Sequence, residues 1–267
     1  MLILMQNIFK MKWYYFIALL LFFSCNEKVK QSEKSGQKPE TKTTIKLKKD
    51  TVLAVEPVKK KKIRKKSALE LKLIKQGLVN LLELDSTIQV KLMYATADNF
   101  VGENMYGDFD QAYLYPNPAK KLLKAQQALQ KIDSSYSLII YDAVRPLHIQ
   151  QKMWDALKIP FKEKIKFLSN PKNGSIHNYG SAVDISITKN GKPLDMGTPY
   201  DYLGKLAYPR LEKQLVKTGK LTAKQVANRK LLRKVMFEAG FTGITTEWWH
   251  FNSLKRRDAK QKYKVIP

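Results

Sequence analysis

The most informative part of the sequence is residues 175–187, Ser-Ile-His-Asn-Tyr-Gly-Ser-Ala-Val-Asp-Ile-Ser-Ile. Apolar and polar side chains alternate from Val183 to Ile187, which predicts a β-strand with one buried face. Asp184 and Ser186 are the polar members of that strand. A carboxylate among valine and isoleucine is costly to bury without a partner, so we expect Asp184 to be paired or to bind a metal.

A second polar group lies near the C-terminus, in Glu247-Trp-Trp-His250. With His177 and Asp184 it supplies two imidazoles and one carboxylate, a normal three-ligand set for catalytic zinc that leaves the fourth position for water. Glu247 would then be a general base beside that water. A single histidine or strand aspartate is more often structural, but here each polar group is surrounded by apolar residues.

The spacing within the second group leaves two local structures open. Glu247 and His250 are three residues apart, so a regular strand would point them to opposite faces. Either a strand near 244–251 is bulged, or Glu247 precedes it in a turn. The third histidine, His148, follows Pro146 at the start of a predicted helix, and we interpret it as a surface or packing residue.

The hydrophobic periodicity predicts helices and strands that do not alternate regularly along the chain. The predicted helices carry Leu71, Ile74, Leu78 and Leu81 after a capping box at Ser67–Glu70, then residues 122–132, then residues 149–154 after Pro146, and finally residues 231–236 before Gly240. The predicted strands are 88–94, 137–141, 183–187 and 244–251. This order favours an α+β fold with a mainly antiparallel central sheet flanked by helices.

Composition narrows the class of protein. The chain has 267 residues, of which 44% are hydrophobic, so it can form a packed core and wholesale disorder is excluded. Lys and Arg number 49 against 23 Asp and Glu, which gives a formal net charge of +26. The single cysteine, Cys25, excludes a disulfide scaffold and a multi-cysteine zinc module.

The N-terminus has the pattern of an export signal over residues 1–24. The apolar run at 13–23 has eleven residues, follows two lysines and ends at Phe23-Ser24-Cys25. It is too short to span a membrane, which takes about 20 residues. A cysteine directly after a small residue resembles the lipobox of bacterial lipoproteins, whose thiol is acylated after cleavage, although Phe22 stands where leucine is usual. Met11 is an alternative start.

Residues 25–66 are predicted to form an acylated cysteine and a flexible, lysine-rich tether before a domain at 67–267. Residues 26–66 carry fifteen basic and five acidic side chains and few apolar ones, so they cannot offset their ordering entropy by burial. Basic runs such as Lys59–Lys62 invite a nucleic-acid interpretation. For an exported, membrane-anchored protein facing the periplasm or cell exterior, we expect no nucleic acid, and anionic lipid or wall polymer nearby instead.

Over roughly residues 85–260 the sequence resembles the D-alanyl-D-alanine dipeptidases, the VanX-type zinc peptidases. Five blocks and a helix start carry the resemblance in order: Tyr94-Ala-Thr-Ala-Asp-Asn-Phe-Val-Gly102, Tyr141-Asp-Ala-Val-Arg-Pro146, Ser175-x-His-x-x-Gly-x-Ala-x-Asp184, Met196-Gly-Thr-Pro-Tyr-Asp201, Asn228-Arg229 and Glu247-Trp-Trp-His250. The resemblance implies a D-Ala-D-Ala metallopeptidase, hedgehog-like fold. It also implies hydrolysis of the small D-Ala-D-Ala dipeptide to two D-Ala.

The resemblance also assigns roles to residues. One Zn²⁺ per chain would be bound by His177, Asp184 and His250; Glu247 would be the catalytic acid and base, and Arg145 would stabilise the transition state. The residues that would line the substrate pocket are Tyr94, Asp142, Ser175 and Asp201, of which Ser175 and Asp201 would hold the substrate's free amine. From the residues alone, Arg145 could instead form a buried ion pair with Asp142, and Asp201 could be a helix cap.

Three other functions are open at this stage. A zinc D,D-carboxypeptidase trimming peptidoglycan stem peptides would share the metal and Glu247, and export suits it better than a dipeptide made in the cytoplasm. A non-catalytic module would be expected to have lost Glu247 or Arg145, and both are present. A nucleic-acid or lipopolysaccharide binder would depend on residues 26–66, whereas peptide hydrolysis would not.

Overall fold

The computed structural model describes residues 64–267. The predicted signal segment 1–24, Cys25 and the tether up to residue 63 lie outside the described residues, so these interpretations stay predictions. Within residues 64–267, no helix has both the length and the apolar character needed to cross a membrane.

Eight α-helices and eight short strands form the described part of the chain. The helices are α1 (Ala68–Lys75), α2 (Leu81–Leu84), α3 (Pro116–Ile132), α4 (Leu147–Ala156), α5 (Phe161–Phe167), α6 (Glu212–Lys217), α7 (Ala223–Glu238) and α8 (Arg256–Lys262). The strands are β1 (Val79–Asn80), β2 (Gln89–Val90), β3 (Tyr113–Leu114), β4 (Tyr136–Asp142), β5 (Ala182–Lys189), β6 (Lys192–Pro193), β7 (Thr242–Gly243) and β8 (His250–Asn252). The fold is therefore mixed in helix and strand, as expected.

The main sheet has the strand order β2-β4-β5-β8-β7, with β6 paired to β5, and β1 and β3 form a separate pair. Strand β2 runs parallel to β4, whereas β5 pairs antiparallel with β4, β6 and β8. The sheet is therefore mixed, which corrects the expectation of a mainly antiparallel sheet. Its parallel pair arises because the chain leaves β2 and enters β4 in the same direction after passing through α3.

The two faces of the sheet differ as the alternation in β5 predicts. Val183, Ile185 and Ile187 are fully buried in the main hydrophobic core, where α3 packs on β4 and α7 packs on β5. Asp184 and Ser186 point to the opposite face. There Ile139 and Tyr141 of β4 pack with Met93 and Tyr200 in a small apolar cluster. The helices thus cover one face of the sheet and leave the other for the polar side chains of β5.

The first predicted helix is correct at its start and wrong in its buried face. The Ser67 hydroxyl accepts a hydrogen bond from the Glu70 backbone and the Glu70 carboxylate accepts one from the Ser67 backbone, which is the expected capping box. The helix ends at Lys75, before Gly77 at φ +86°. Leu71 and Ile74 are therefore exposed, and Leu73 is the apolar residue that enters the core.

The predicted strand over 88–94 is shorter than expected, because only Gln89 and Val90 pair with β4. Met93–Ala95 form one turn of 3₁₀-helix instead. Its turn brings Tyr94 away from the sheet edge and into a cluster of aromatic rings with Phe100, Tyr106 and Tyr200. The departure from strand geometry is thus explained by aromatic packing that alternation alone does not reveal.

Candidate active site

The register of the central strands brings polar side chains from distant parts of the sequence together. Asp184 of β5 lies directly opposite His250, the first residue of β8. On its other side the same aspartate is paired with Asp142, the last residue of β4. The polar face of β5 therefore meets the ends of both neighbouring strands at one point of the sheet.

His177 reaches this point from a short 3₁₀-helix, Ile176–Tyr179, that precedes β5. The Ser175 side chain caps the helix by accepting a hydrogen bond from the His177 backbone, and Gly180 ends it at φ +51°. A Cβ at position 180 would lie 3.1 Å from a Leu78 methyl, so both the turn and the packing favour glycine there. The turn lets the chain reverse into β5 with His177 facing Asp184.

The three side chains fit a tetrahedral metal ion. His177 Nε2 lies 3.3 Å from His250 Nδ1 and 3.4 Å from Asp184 Oδ1, and the latter two atoms are 2.9 Å apart. Two ligands about 2.1 Å from a tetrahedral Zn²⁺ are themselves about 3.4 Å apart. The donor set, two imidazoles and a carboxylate, is also one that zinc favours. Among residues 64–267, the ligand atoms of His177, Asp184 and His250 lie close enough together to bind one metal ion.

Neighbouring groups orient each of these ligands. His177 Nδ1 lies 2.7 Å from the Ala143 carbonyl, and His250 Nε2 lies 2.9 Å from the Asn252 side-chain oxygen. Both acceptors require a proton on those nitrogens, which leaves His177 Nε2 and His250 Nδ1 as the lone-pair donors. The other oxygen of Asp184 accepts a hydrogen bond of 3.1 Å from the Tyr200 hydroxyl. The three facing atoms are therefore free to bind one ion.

The electrostatic field at the ligands favours positive charge. Burial lowers the pKa of His250, but the hydrogen bond and charge of Asp184, with the charge of Glu247, raise it to about 9. Burial works against the charged form of Asp184 too, and the two imidazoles outweigh it and hold the pKa of its carboxyl below its ordinary value. A cation held between the ligands would satisfy the same field.

Glu247 lies in the loop between β7 and β8, so of the two alternatives the turn is correct. Its side chain lines the same cavity as the three ligands. Burial raises the pKa of its carboxyl, an effect that the neighbouring His250 opposes. A carboxylate with a raised pKa beside a candidate metal is suited to exchange protons near neutral pH.

Arg145 both pairs with Asp142 and lines the cavity, so the two interpretations of this residue are compatible. Its Nε donates a 2.9 Å hydrogen bond to Asp142, its Nη2 donates to the same oxygen, and its Nη1 donates to Gln150 at 3.1 Å. The guanidinium also lies over the ring of Tyr94, 5.0 Å from its centroid. Three of its five N–H groups are thereby used, and the buried fork is held rigidly.

The cavity has a volume of about 330 Å³, and its wall includes the metal-ligand candidates, Glu247, Arg145, Tyr94, Ser175 and Asp201. Asp142, which the resemblance assigns to the pocket, is instead fully buried behind Arg145 and forms no part of the wall. One of its oxygens accepts from Arg145 and the other accepts a 2.6 Å hydrogen bond from Tyr106. Asp142 therefore acts on the cavity through Arg145.

Asp201 is held in an unusual state. It adopts the left-handed backbone region at φ +59°, and its Oδ2 is buried without a hydrogen-bond partner among the described residues. It caps no helix, since the next one begins after Gly204. Burial, followed by the charge of Asp184, raises the pKa of its carboxyl well above its ordinary value. A buried carboxyl oxygen without a partner in a cavity wall is suited to a cationic ligand group.

Helix α7 fixes the loop that carries Asp201 and Tyr200. Asn228 donates a 2.8 Å hydrogen bond to the Asp195 carbonyl, and the fully buried Arg229 donates one of 2.6 Å to the Met196 carbonyl. Arg229 also lies over the ring of Trp248, whose indole N–H donates to Thr198 at 2.8 Å. The loop is thus attached at both its start and its middle to rigid parts of the core.

Sequence reasoning missed four residues at or around the cavity: Tyr200, Gln150, Asn252 and Arg256. Tyr200, Gln150 and Asn252 each form a hydrogen bond with a site residue that the sequence had indicated. Arg256 lines the cavity itself. Tyr200 stands beside Asp201 in a block that carried the resemblance, so its position was a usable signal. The other three lie outside every block. His148 is exposed, as expected, and contacts the C-terminal residue Pro267.

Two histidines and an aspartate around a candidate metal position, beside a half-buried glutamate and a buried arginine, define the site of a metallopeptidase. Comparison with known proteins agrees. Residues 74–266 match the family described as D-ala-D-ala dipeptidase, and because this match covers most of the chain, the protein belongs to that family of peptidases. It is therefore a hydrolase of the metallopeptidase class.

Several curated relatives are themselves named D-alanyl-D-alanine dipeptidase. The chain is 31% identical over 175 residues to the D-alanyl-D-alanine dipeptidase of Escherichia coli strain K12, covering 65% of this chain and 83% of the relative. It is 28% identical over 162 residues to that of Synechocystis, covering 50% and 66%. It is 25% identical over 174 residues to that of Enterococcus faecium, covering 59% and 82%.

Proposed function

We propose that this protein hydrolyses the D-Ala-D-Ala dipeptide to two D-Ala, with one zinc ion bound by His177, Asp184 and His250 and with Glu247 as general base. The observation that carries the proposal is that these three ligands share one cavity with the half-buried Glu247 and the buried Arg145. The names of the relatives support the choice of dipeptide.

Each protein group has a definite task in this reaction. When bound, zinc would supply Lewis acidity, which polarises the substrate carbonyl and makes a water molecule easier to deprotonate. Glu247 takes a proton from the attacking water as the water oxygen bonds to the carbonyl carbon. The same carboxyl then gives that proton to the amide nitrogen as the C–N bond breaks, which releases two D-Ala.

Arg145 stabilises the negative charge that develops on the carbonyl oxygen. Two of its N–H groups remain after the bonds to Asp142 and Gln150. Because the guanidinium is buried and already oriented, it needs no reorganisation during the reaction, and one such donor contributes roughly 3–4 kcal/mol. Asp142 and Gln150 are positioning residues in this account.

Asp201 selects the free amine of the dipeptide. Among the described residues its buried Oδ2 has no hydrogen-bond partner, and a substrate ammonium would satisfy it and restore the charged form of the carboxyl. Ser175 and Tyr94 line the same cavity and complete this part of the substrate site. A stem peptide has an acyl group in place of the ammonium, so the unpartnered oxygen of Asp201 favours the dipeptide over the longer substrate.

A substrate comparison with the full chain tests this proposal against the D,D-carboxypeptidase alternative. We expect release of D-Ala from D-Ala-D-Ala and little from a stem pentapeptide that ends in D-Ala-D-Ala. Asp201→Asn should lose most activity on the dipeptide and should not lose activity on the pentapeptide. Faster cleavage of the pentapeptide by the unmodified protein would establish the carboxypeptidase instead.

The finer fold assignment is also a proposal: that this mixed sheet with helices on one face has the D-Ala-D-Ala metallopeptidase, hedgehog-like fold. The support for it is the family match over residues 74–266 together with the position of the ligands on β5, on β8 and just before β5. An experimental structure whose sheet and flanking helices do not superimpose on that fold would contradict it.

We further propose that the protein is an exported lipoprotein, acylated at Cys25 and anchored to a membrane facing the periplasm or cell exterior. The sequence pattern over residues 1–25 supports it, as does the basic, polar composition of residues 26–66. Radiolabelled palmitate should be incorporated into the wild type and not into Cys25→Ala. Equal incorporation into both would exclude acylation at this cysteine.

A further inference from the structure

The proposed substrate is a zwitterion, and only its amine and its scissile carbonyl have been assigned partners so far. Its α-carboxylate also loses water when it enters the cavity, so it needs a cationic or hydrogen-bonding partner there. Among the described residues, the cavity wall contains two guanidinium groups, Arg145 and Arg256, and no lysine. Three N–H groups of Arg145 are occupied by Asp142 and Gln150, and the other two are assigned to the carbonyl oxygen.

Arg256 has the free donors that a carboxylate requires. It is the first residue of α8, and its Nη2 donates to the Gly174 carbonyl at 2.8 Å and lies 3.4 Å from the Ser169 hydroxyl. The three N–H groups on Nε and Nη1 have no protein acceptor among the described residues. Gly174 directly precedes Ser175, which lines the cavity. The contact with the Gly174 carbonyl therefore holds the Arg256 guanidinium at the cavity wall.

The neighbouring basic residues do not share this position. Arg257 is exposed, as Arg256 is, but its Nε lies 3.2 Å from the Asp258 carboxylate. It does not line the cavity, and neither does Lys255. The positive charge that faces the cavity from α8 therefore belongs to Arg256 specifically, not to the general basic character of the C-terminal segment.

We propose that Arg256 binds the α-carboxylate of the substrate and makes a free C-terminus a requirement of this site. The inference rests on the proposed function, since it names the partner of one group of the same dipeptide. A guanidinium offers two parallel N–H groups to a carboxylate, a geometry that neither a lysine nor a backbone amide reproduces. With Asp201 on the ammonium, Arg256 would recognise both charged ends of the dipeptide.

A second role for Arg256 must be separated from this one. Through the Gly174 carbonyl it also supports the turn before Ser175, so its removal could disturb the site without any contact with substrate. The two roles differ in their dependence on substrate charge. Loss of support would affect every substrate equally, whereas loss of a carboxylate partner would affect only a substrate with a free carboxylate.

The test compares D-Ala-D-Ala with its C-terminal amide in the zinc-loaded full chain. Arg256→Ala should raise the KM for the free acid by about tenfold with kcat changed less than twofold. It should leave the KM for the amide unchanged. Where cleavage of the amide is too slow to follow, its inhibition constant against the free acid gives the same comparison. Arg257→Ala removes the same charge from the adjacent position and should leave the KM for both substrates unchanged.

Other results would overturn the inference in distinguishable ways. An equal loss on acid and amide in Arg256→Ala would leave Arg256 with the supporting role alone. An unchanged KM for the acid would mean that the carboxylate is bound elsewhere. A wild type that binds zinc and cleaves no dipeptide would overturn the proposed function and this inference with it. Matching thermal unfolding of both variants and wild type shows that the comparison concerns folded protein.

Discussion

His177 Nε2 and His250 Nδ1 lie 3.3 Å apart, although 73 positions separate the two residues in the sequence. Each ring has its other nitrogen occupied, by the Ala143 carbonyl in one case and by Asn252 in the other. Two lone pairs that face each other at this distance repel unless a proton or a metal ion lies between them. The fold therefore places these two imidazoles as ligands for one cation.

The contact between Asn252 and His250 leads to a prediction about metal affinity. Asn252→Ala should weaken zinc binding by about 10- to 100-fold, since the imidazole loses the acceptor that fixes its orientation and tautomer. Competition against a chromogenic chelator would measure the change. Asn173→Ala, at an exposed asparagine, is the control and should bind zinc like wild type. Equal affinity in Asn252→Ala and wild type would show that this contact does not orient the ligand.

The fork of Arg145 predicts an effect on the chemical step. Arg145→Lys retains the charge and loses the paired contacts with Asp142 and Gln150, so we expect kcat to fall roughly 100- to 1,000-fold. KM should change much less, because the lost interaction is made with charge that develops during the reaction. Steady-state kinetics on D-Ala-D-Ala would measure both constants.

Arg233→Lys is the matched control for that variant, since Arg233 forms a similar paired contact with Glu212 and does not line the cavity. It should keep kcat within twofold of wild type. A rise in KM without a fall in kcat for Arg145→Lys would instead indicate that Arg145 binds the ground state of the substrate.

A substitution at Gly197 would test how far the position of the loop before Asp201 depends on its packing against Leu221 and Gln225. The φ of Gly197 is +80°, and an added Cβ would overlap a Leu221 methyl and lie 3.0 Å from Gln225 Oε1. Gly197→Ala should therefore unfold more easily than wild type and lower kcat/KM by moving Tyr200 and Asp201. Thermal unfolding and kinetics on one preparation would measure both effects.

Gly219→Ala separates backbone strain from packing in that experiment. Gly219 has a similar φ of +67°, and nothing lies within 4 Å of an added Cβ. It should lose only the roughly 1 kcal/mol that a left-handed alanine costs. We expect Gly197→Ala to lose about 1–3 kcal/mol more. Equal losses of unfolding free energy in the two variants would mean that the loop around residue 197 accommodates the new methyl group without further destabilisation.

The environment of Glu70, which lies away from the active site, predicts that the stability of the protein depends on pH. Burial opposes the charge of Glu70, but hydrogen bonds from Arg64, the Ser67 backbone and Tyr113 lower the pKa of its carboxyl to about 2 from 4.5. A depressed pKa means that the stabilisation is complete above about pH 4.5 and is lost as the pH falls towards 2. Glu70→Gln should cost about 1–2 kcal/mol at pH 7, and this difference should shrink between pH 5 and 2.

Urea unfolding at several pH values would measure the difference for Glu70→Gln. Glu83→Gln serves as control because Glu83 is 63% exposed and its ion pair with Lys66 lies at the surface. Its stability should stay within about 0.5 kcal/mol of wild type throughout. A difference for Glu70→Gln that is constant from pH 7 to 3 would contradict the depressed pKa.

Local chemistry in the sequence predicted much of the site. Alternation around Asp184 identified both the strand and its polar face, and the three-residue spacing of Glu247 and His250 limited the loop to two alternatives. In both cases the information lies in a few neighbouring residues. The capping box at Ser67 was predictable for the same reason.

Long-range packing set the limits of prediction. The parallel pairing of β2 with β4 depends on how α3 crosses the sheet, and the burial of Asp142 behind Arg145 depends on Tyr106 from a distant loop. Arg256 lines the cavity only because α8 returns to the Gly174 carbonyl. None of these contacts leaves a pattern within one segment of sequence.

The central claim is that Glu247 exchanges protons in a site where zinc is held by other residues. The most direct measurement is hydrolysis of D-Ala-D-Ala by the full chain and by Glu247→Gln, with the zinc content of both preparations determined in parallel. If Glu247 is the general base, each protein should contain about one zinc per chain, and kcat should fall at least 100-fold in the variant. Full turnover by zinc-loaded Glu247→Gln would contradict it.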